Sequence, residues 1–489
     1  MKNTRKSPTY SLLFLKSTSQ SAFFNPRVLL AFALCSVGVV LAMLSFAANP
    51  PSGIKGSSGD STGGSLFVDN HAVPFFKGNT GATAPSIPLA PTVPRWSIVQ
   101  SPNNGSPGTN ELFATTCASA SDCWAVGYSD IGSGYSTLIE RWNGSIWAIV
   151  SSPNNSGDNI LYGVTCTSTL DCWAAGTYFD DDLFQRTLIE HWNGDVWNIV
   201  SSPNRGLSSP PIDVLVGVAC ISASECWAVG SNDDRNGVGQ TLIERWDGIS
   251  WTIVDSPNPS GSNSFQGVTC ASALQSEECW AVGETVTGFG SAQTLIEKWD
   301  GSAWSLVSSP NNGMYNDLLG VTCASEADCW AVGYYSGVTN NQTLIQQWNG
   351  ILWAIVSSPN TSTMQDNYLA AVACASAAQC WAVGYYANGG GVDQTLIEQW
   401  DGNFWTIVTS PNPKDAQGSQ LLGVTCAAWQ CWAAGYYGNG SGVPQTLAEE
   451  YVGNTDWGRV TSTEVPRSFL KAPNVTKQRT REFAPLSPL

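Results

Sequence analysis

Residues 318–356 read LLGVTCASEADCWAVGYYSGVTNNQTLIQQWNGILWAIV, and this stretch decides the fold. Four short runs rich in β-branched and aromatic residues lie in it: LLGVTC (318–323), CWAVGYY (329–335), TLIQQW (343–348) and WAIV (353–356). Turn residues separate the runs, and none has apolar spacing long enough to form a helix. Asn349-Gly350 is a hairpin signal, because both residues tolerate positive φ. Outward from here the same unit recurs with close variants, its first Cys at 117, 166, 220, 270, 323, 374 and 426. Successive copies lie 49, 54, 50, 53, 51 and 52 residues apart. Seven copies of four antiparallel strands predict an all-β, seven-bladed β-propeller with four-stranded blades. A solenoid is the alternative, but an open stack needs distinct caps.

Tryptophan follows the same register. One set (Trp124, Trp173, Trp227, Trp280, Trp330, Trp381, Trp432) follows the second Cys, and a second (Trp142, Trp192, Trp246, Trp299, Trp348, Trp400) precedes the Asn/Asp-Gly turn. A third opens the final strand at 96, 147, 197, 251, 304, 353, 405 and 457. Seven-fold repetition points to packing between blades, with sugar stacking the weaker reading. The third set has one copy more than there are Cys pairs. The N-terminal copy, Arg95–Val99, is well formed, whereas Tyr451 replaces Trp near the C-terminal one. Residues 96–99 are therefore expected to supply the outer strand of the last blade, pairing near 446–451.

Fifteen Cys resolve into Cys35 and seven local pairs. The pairs are Cys117/Cys123, Cys166/Cys172, Cys220/Cys226, Cys270/Cys279, Cys323/Cys329, Cys374/Cys380 and Cys426/Cys431. Each straddles the turn between the first two strands of its unit. Zinc needs four converging ligands, and these pairs sit on separate blades without His. Strict pairing predicts disulfides, hence an oxidising compartment, and free core thiols are the weaker reading.

The Cys-Trp-Ala-Val-Gly strand followed by [Asn/Asp]-Gly-x-x-Trp resembles bacterial BNR/Asp-box β-propellers and is similar to photosystem-assembly-factor-like propellers. The resemblance covers residues 96–460. It implies a fold but not one function, since this architecture hosts hydrolases, lectins and scaffolds. Asp300-Gly301-Ser302-Ala303-Trp304 is one residue shorter than a full Asp box, and several copies carry Asn.

The flanks differ in character. Residues 1–27 carry Lys2, Arg5, Lys6, Lys16 and Arg27 and no acid, a basic cytoplasmic leader. Residues 28–48 (VLLAFALCSVGVVLAMLSFAA) are uncharged and long enough for one transmembrane helix. A cleaved signal peptide is the alternative to a signal anchor there, and the long apolar run favours the anchor. Residues 49–94 form a Pro/Gly/Ser-rich linker, 95–460 the propeller and 461–489 a disordered basic tail. These segments place the propeller outside the cell on a single-pass anchor, or secreted if the leader is cleaved. The membrane is one partner, through 28–48. Residues 96–458 hold 34 Asp/Glu against 7 Lys/Arg, which excludes nucleic acid as a ligand.

Alternating strand direction puts the Cys turns and the Asn/Asp-Gly turns on one face and the variable loops on the other. Those loops, for example 128–136 and 387–394, are the expected recognition surface. Tyr128, Tyr178, Tyr335, Tyr386 and Tyr437 are the candidate binding residues. Asp180-Asp181-Asp182 and Asp233-Asp234 lack a full set of calcium-ligand spacings, so no metal is assigned. No catalytic residue or cofactor is assigned either. Sialidase-like sites hold a carboxylate with clustered Arg, and inner runs such as LLGVTC contain none. The acids read either as repeated around the ring (Glu140, Glu190, Glu244, Glu297, Glu398) or as scattered in loops, whereas a single active site breaks symmetry. The expectation is a non-catalytic binding or scaffolding module for an extracellular protein or glycan. A lectin-like propeller is the runner-up and a BNR-type glycosidase follows.

Overall fold

The computed structural model describes residues 95–453, apart from 106–107, 133, 207–210, 274–275, 289–290 and 429. The leader, the apolar segment 28–48, the linker, the tail and Trp457 lie outside the described residues. Among the described residues no helix is long and apolar enough to cross a membrane.

Seven four-stranded antiparallel sheets make up the ring. The first blade is Thr109–Ser119, Asp122–Asp130, Tyr135–Trp142 and Trp147–Val150, and five more of the same order follow through Val408. In the seventh, Ser419–Ala427, Gln430–Gly438 and Pro444–Val452 are completed by Arg95–Val99 as outer strand. Trp96 pairs with Tyr451 and Val99 with Ala448, so the two chain ends close the ring in the expected register.

Two rings of glycine explain the close approach of strands at the centre. The Gly of Trp-Ala-Val-Gly sits where the first strand bulges; a Cβ on Gly127 would lie 1.9 Å from the Glu111 carbonyl oxygen, and on Gly333 2.0 Å from that of Asp317. The other ring faces the next blade. A Cβ on Gly320 would meet Ala371 Cα at 2.9 Å, and one on Gly423 would meet Ala114 Cα at 2.8 Å. Only minimal side chains let seven inner strands converge on one axis.

Between blades, each Trp of the first set is clamped by two rings of its neighbour. Trp330 lies 4.8 Å from Trp400 and 5.2 Å from Trp405, the latter edge-on. The interface between the sixth and seventh blades keeps this geometry with a substitute: Trp381 meets Tyr451 at 4.4 Å and Trp96 at 5.3 Å. The Trp sets are therefore packing residues. On the third strand, Arg141 lies 4.8 Å over Trp124 and bonds both carboxylate oxygens of Asp122 at 2.7 and 2.9 Å. His191 fills the same slot, stacked on Trp173 and 2.6 Å from Asp171.

All seven Cys pairs are disulfides between directly opposed residues of the first two strands, with Cα separations of 3.9–4.1 Å. The pairs straddle the turn as expected, but their two members are not equivalent. The second cysteine of each pair (Cys123, Cys172, Cys226, Cys279, Cys329, Cys380 and Cys431) is at most 1% exposed. Each sits in a different one of the seven hydrophobic clusters between blades. Cys329, for instance, packs with Trp280, Leu344 and Trp353. The first members, Cys117, Cys166, Cys220, Cys270, Cys323, Cys374 and Cys426, are only partly buried and lie at the edge of the same clusters. The reason is strand alternation: the second Cys directly precedes the clamped Trp and points to the opposite face of its sheet, into the neighbouring cluster. These seven cysteines are therefore core residues as well as cross-links, and not part of any accessible site. Their sulfurs fill volume that a small hydrophobe would otherwise occupy.

Each Asn/Asp-Gly turn is a four-residue loop between paired Trp, such as Trp348 and Trp353. Gly350 alone takes positive φ (88°); Asn349 does not, and its Oδ1 instead accepts the N–H groups of Ile351 and Leu352 at 3.0 and 3.1 Å. The Asn therefore serves through its side chain rather than its own backbone freedom.

Candidate functional site

The expected recognition loops are shorter than the sequence suggests. Strands run on to Asp130, Phe179, Asp233 and Ala387, and the remaining tips close on themselves. Asp234 Oδ1, for example, accepts from the Asn236 and Val238 N–H groups, and Asn388 Oδ1 from those of Gly390 and Val392. Asp180 caps its own loop and holds Arg186 at 3.1 Å. Among the described residues no group of three or more His, Cys, Asp or Glu converges as a metal site.

The tyrosines therefore belong to strands, and their two positions face opposite ways. Tyr178, Tyr335, Tyr386 and Tyr437, one step further from the Gly, are partly buried against the hydrophobic clusters between blades. Their expected place in a binding loop is corrected: they stand in strands. Tyr128, directly after the Gly, turns to the propeller axis instead and is buried in the wall of a central cavity of about 610 Å³.

That cavity is where the repeat breaks down. Its wall comes from the inner strands, whose bulged residues (Phe113, Tyr162, Val216, Gln266, Leu319, Ala370, Leu422) are re-aimed inward, and from the residue after each Trp-Ala-Val-Gly. At the end nearest the variable loops, register pairs change from blade to blade: Glu111 with Tyr128, Ile160 with Thr177, Val214 with Ser231, Ser264 with Glu284, Asp317 with Tyr334, Tyr368 with Tyr385, and Gln420 with Tyr436. Five adjacent blades, from the fourth round to the first, thus form an arc of tyrosines and acids. The second and third contribute small or apolar residues.

Ring contacts tie the arc together. Tyr334 stacks on Tyr315 at 5.9 Å and meets Tyr368 edge-on at 4.9 Å, and Tyr368 stacks on Tyr385 at 4.9 Å. On the far side Phe113 lies 5.8 Å from Tyr128 and 5.3 Å from Tyr162. Tyr436 Oη donates to Gln420 Oε1 at 3.0 Å, and Gln420 Nε2 to Asp393 Oδ2 at 2.7 Å. Burial pushes the Glu111 and Glu284 carboxyls up to about 7, each opposed by a tyrosine hydroxyl, of Tyr128 and Tyr315 respectively. Asp317 is raised well above the ordinary range by burial and then by the charge of Glu284. Glu284 Oε2 and Asp317 Oδ1 are buried and have no hydrogen-bond partner. No Lys, Arg or His is among the lining residues.

These acids correct the expectation that carboxylates are either repeated or confined to loops. Glu111, Glu284 and Asp317 lie in strands, occur once each and gather near one cavity, so the symmetry break that a site requires is present. The signal was in the sequence: the positions before the inner Leu and after the second-strand Gly are those where otherwise near-identical copies diverge. The repeated acids are structural, each meeting a serine across a blade interface, as Glu140 meets Ser101 and Glu190 meets Ser152.

No protein-family model matches the sequence, and no curated protein matches it. Solved structures resemble it in part. YCF48 bound to D1 peptide is 14% identical with a TM-score of 0.45, covering 75% of this chain and 98% of its own. YCF48 from Cyanidioschyzon merolae is 12% identical with a TM-score of 0.44, covering 73% and 98%. SapL1 lectin in complex with alpha methyl fucoside is 13% identical with a TM-score of 0.41, covering 63% and 97%.

Proposed function

We propose that the protein is a non-catalytic binding module, held outside the cell by residues 28–48, which captures a protein segment or a glycan in the central cavity from the variable-loop face. One observation carries the reading. On a ring whose disulfides, tryptophans and turns repeat seven-fold, only the cavity end collects unrepeated tyrosines and acids on contiguous blades. Strand-borne side chains on a stapled frame are pre-organised, which lowers the ordering cost of binding.

The path of the chain supports the same face. Arg95 pairs with Val452, which pairs with Gln430 beside the Cys turn, so both chain ends leave the ring on the Cys-turn side. The cavity end rich in tyrosine is on the opposite side, away from the tether. Catalysis is the less favoured reading because paired-carboxylate chemistry needs acids whose environments push them apart, whereas Glu111, Glu284 and Asp317 are all raised.

The test is a peptide and glycan array probed with the full-length protein in detergent, beside its Tyr334→Ala and Tyr385→Ala variants. Capture lost in both variants at unchanged thermal stability is expected. Capture that persists in both, or turnover of any arrayed glycoside by the purified protein, overturns the reading.

A further inference from the structure

We infer that the group received by this cavity is a cation on an alkyl chain: an ammonium or guanidinium, seated against Asp317 of the wall, with Glu284 behind it and Tyr334 and Tyr368 on the same wall. This inference rests on the binding reading above and names the chemistry of its ligand.

The first support is an unmet electrostatic demand. Asp317 is only 5% exposed and Glu284 7%, and each presents an oxygen without a hydrogen-bond partner. Buried carboxyls are ordinarily paired with a cation or fully hydrogen-bonded. Three acids of the blades are answered by a cation, Asp122 by Arg141, Glu225 by Arg245 and Glu278 by Lys298, at 2.7 to 2.9 Å. Repeated buried glutamates such as Glu140 and Glu190 hold a serine on one oxygen, while the other is unpartnered. At the cavity nothing of the protein's own answers, since its lining holds no Lys, Arg or His. An entering N–H donor with positive charge satisfies both oxygens and gains attraction in a poorly solvated site.

The second support is aromatic. Tyr315, Tyr334, Tyr368 and Tyr385 form a continuous series with ring centroids 4.9–5.9 Å apart around the acid pair. Ring faces attract cations, and an aromatic arc closed by carboxyls is the usual way to hold an ammonium group. A neutral sugar would use the rings but would leave two adjacent acids without a counter-charge. The third support is long-range: the acidic body, 34 Asp/Glu against 7 Lys/Arg, draws cations toward the ring and repels acidic ligands. Below the arc, Leu319, Val321 and Val372 give the cavity an apolar wall against which an alkyl stem can lie.

Calorimetry on the full-length protein in detergent tests this with agmatine, cadaverine and spermidine, and with a lysine-containing peptide and its acetyl-lysine form. Pentane-1,5-diol, glutarate, fucose and an acidic peptide serve as controls. Saturable binding of the amines, none of diol or glutarate, and at least a tenfold loss in both Asp317→Asn and Glu284→Gln are expected. Either near-isosteric variant carries the test if the other does not fold. Tighter binding of the lysine peptide than of free amines, abolished by acetylation, identifies a basic protein segment as the source; the reverse order identifies free polyamines. Amine affinity unchanged in both variants overturns the inference as surface attraction. If the amines fail while fucose or the acidic peptide binds and is lost in Tyr334→Ala, the cation falls and the binding reading stands. If no probe and no arrayed ligand binds, both fall.

Discussion

At the scale of the residue, the same Tyr-Tyr pair serves two purposes because neighbouring strand positions face opposite sides. Tyr334 lines the cavity and Tyr335 packs between blades; Tyr385 and Tyr386 divide in the same way. Tyr335→Ala is therefore expected to lower stability by about 1–3 kcal/mol while leaving ligand capture intact. Tyr334→Ala should do the reverse, and denaturant titration beside a binding isotherm separates the two. Trp330, fully buried and clamped by Trp400 and Trp405, should cost about 3–5 kcal/mol on replacement by Ala. Ile351, 81% exposed in the turn beyond Trp348, should tolerate Ser with little change. The roles of Trp and the pairing of Cys were legible because seven copies hold them at one position, as packing and cross-linking require. That only the second Cys of a pair enters the core was not, since it depends on which sheet face meets the next blade. Which of two neighbouring tyrosines faces the cavity was not legible either. The direction of each side chain depends on a bulge, between Leu318 and Gly320 for instance, that only the paired strand reveals.

At the scale of the element, the link between blades is a serine reaching from one outer-strand exit to a buried glutamate on the next third strand. Ser101 meets Glu140 and Ser152 meets Glu190 at 2.6 Å, Ser202 meets Glu244 at 2.8 Å and Ser256 meets Glu297 at 2.9 Å. Ser358 on Glu398 and Ser410 on Glu449 continue the series at 3.0 and 3.1 Å. Burial pushes all six carboxyls up to about 8, against the lowering effect of the serine. The fifth blade makes the protonated state concrete: there Gln346, a neutral isostere, donates from Nε2 to the Pro310 carbonyl at 2.9 Å. A folded-state pKa above the unfolded value means that folding takes up protons, so this contribution is complete below about pH 4.3 and is lost as pH rises through 8. Turn aspartates act in the opposite sense. Backbone N–H groups hold Asp247 and Asp401 below the usual range, and Asp300, which the Ser302 hydroxyl also meets, near 2. Their contribution is present above the unfolded value and disappears as pH falls toward 2. Thermal midpoints should therefore peak in the mildly acidic range and decline toward pH 9. Glu244→Gln with Glu398→Gln should flatten the alkaline limb, and an unchanged limb would exclude these carboxyls as its cause. The sequence marked the repeated Glu as structural, but their neutrality depends on depth, which no spacing conveys.

At the scale of the whole molecule, six blades are built from one continuous run of chain, whereas the seventh holds its outer strand, Arg95–Val99, only by pairing with Pro444–Val452. The seven-fold count and this closure were both legible, because an extra Trp copy at one end faced a worn copy at the other. The arc in the cavity was not. Seeing it requires the blades to be arranged in a ring, so that positions more than 300 residues apart, such as Glu111 and Tyr436, fall on one wall. Closure is thus also the condition for the site, and it can be broken selectively. Trp96 meets both Trp381 and Tyr451, and Thr446 is held by Asn103 and Pro102 from the far end of the chain. Trp96→Ala removes the ring that spans the join, whereas Trp353→Ala removes the equivalent ring at an interface the chain still bridges. Because the ring behaves as nearest-neighbour blades, loss of Trp96 should loosen the seam of the seventh blade and its packing on the sixth without unfolding the rest. Hydrogen exchange is expected to show protection lost first in 444–452 and 379–387 for Trp96→Ala, and locally around the fifth blade for Trp353→Ala. A covalent replacement gives the converse: Ser97→Cys with Glu450→Cys, directly opposed across the join, should restore that protection on oxidation. Loss of protection spread evenly over all seven blades in Trp96→Ala would mean that the ring unfolds as one unit and that its seam has no special weakness.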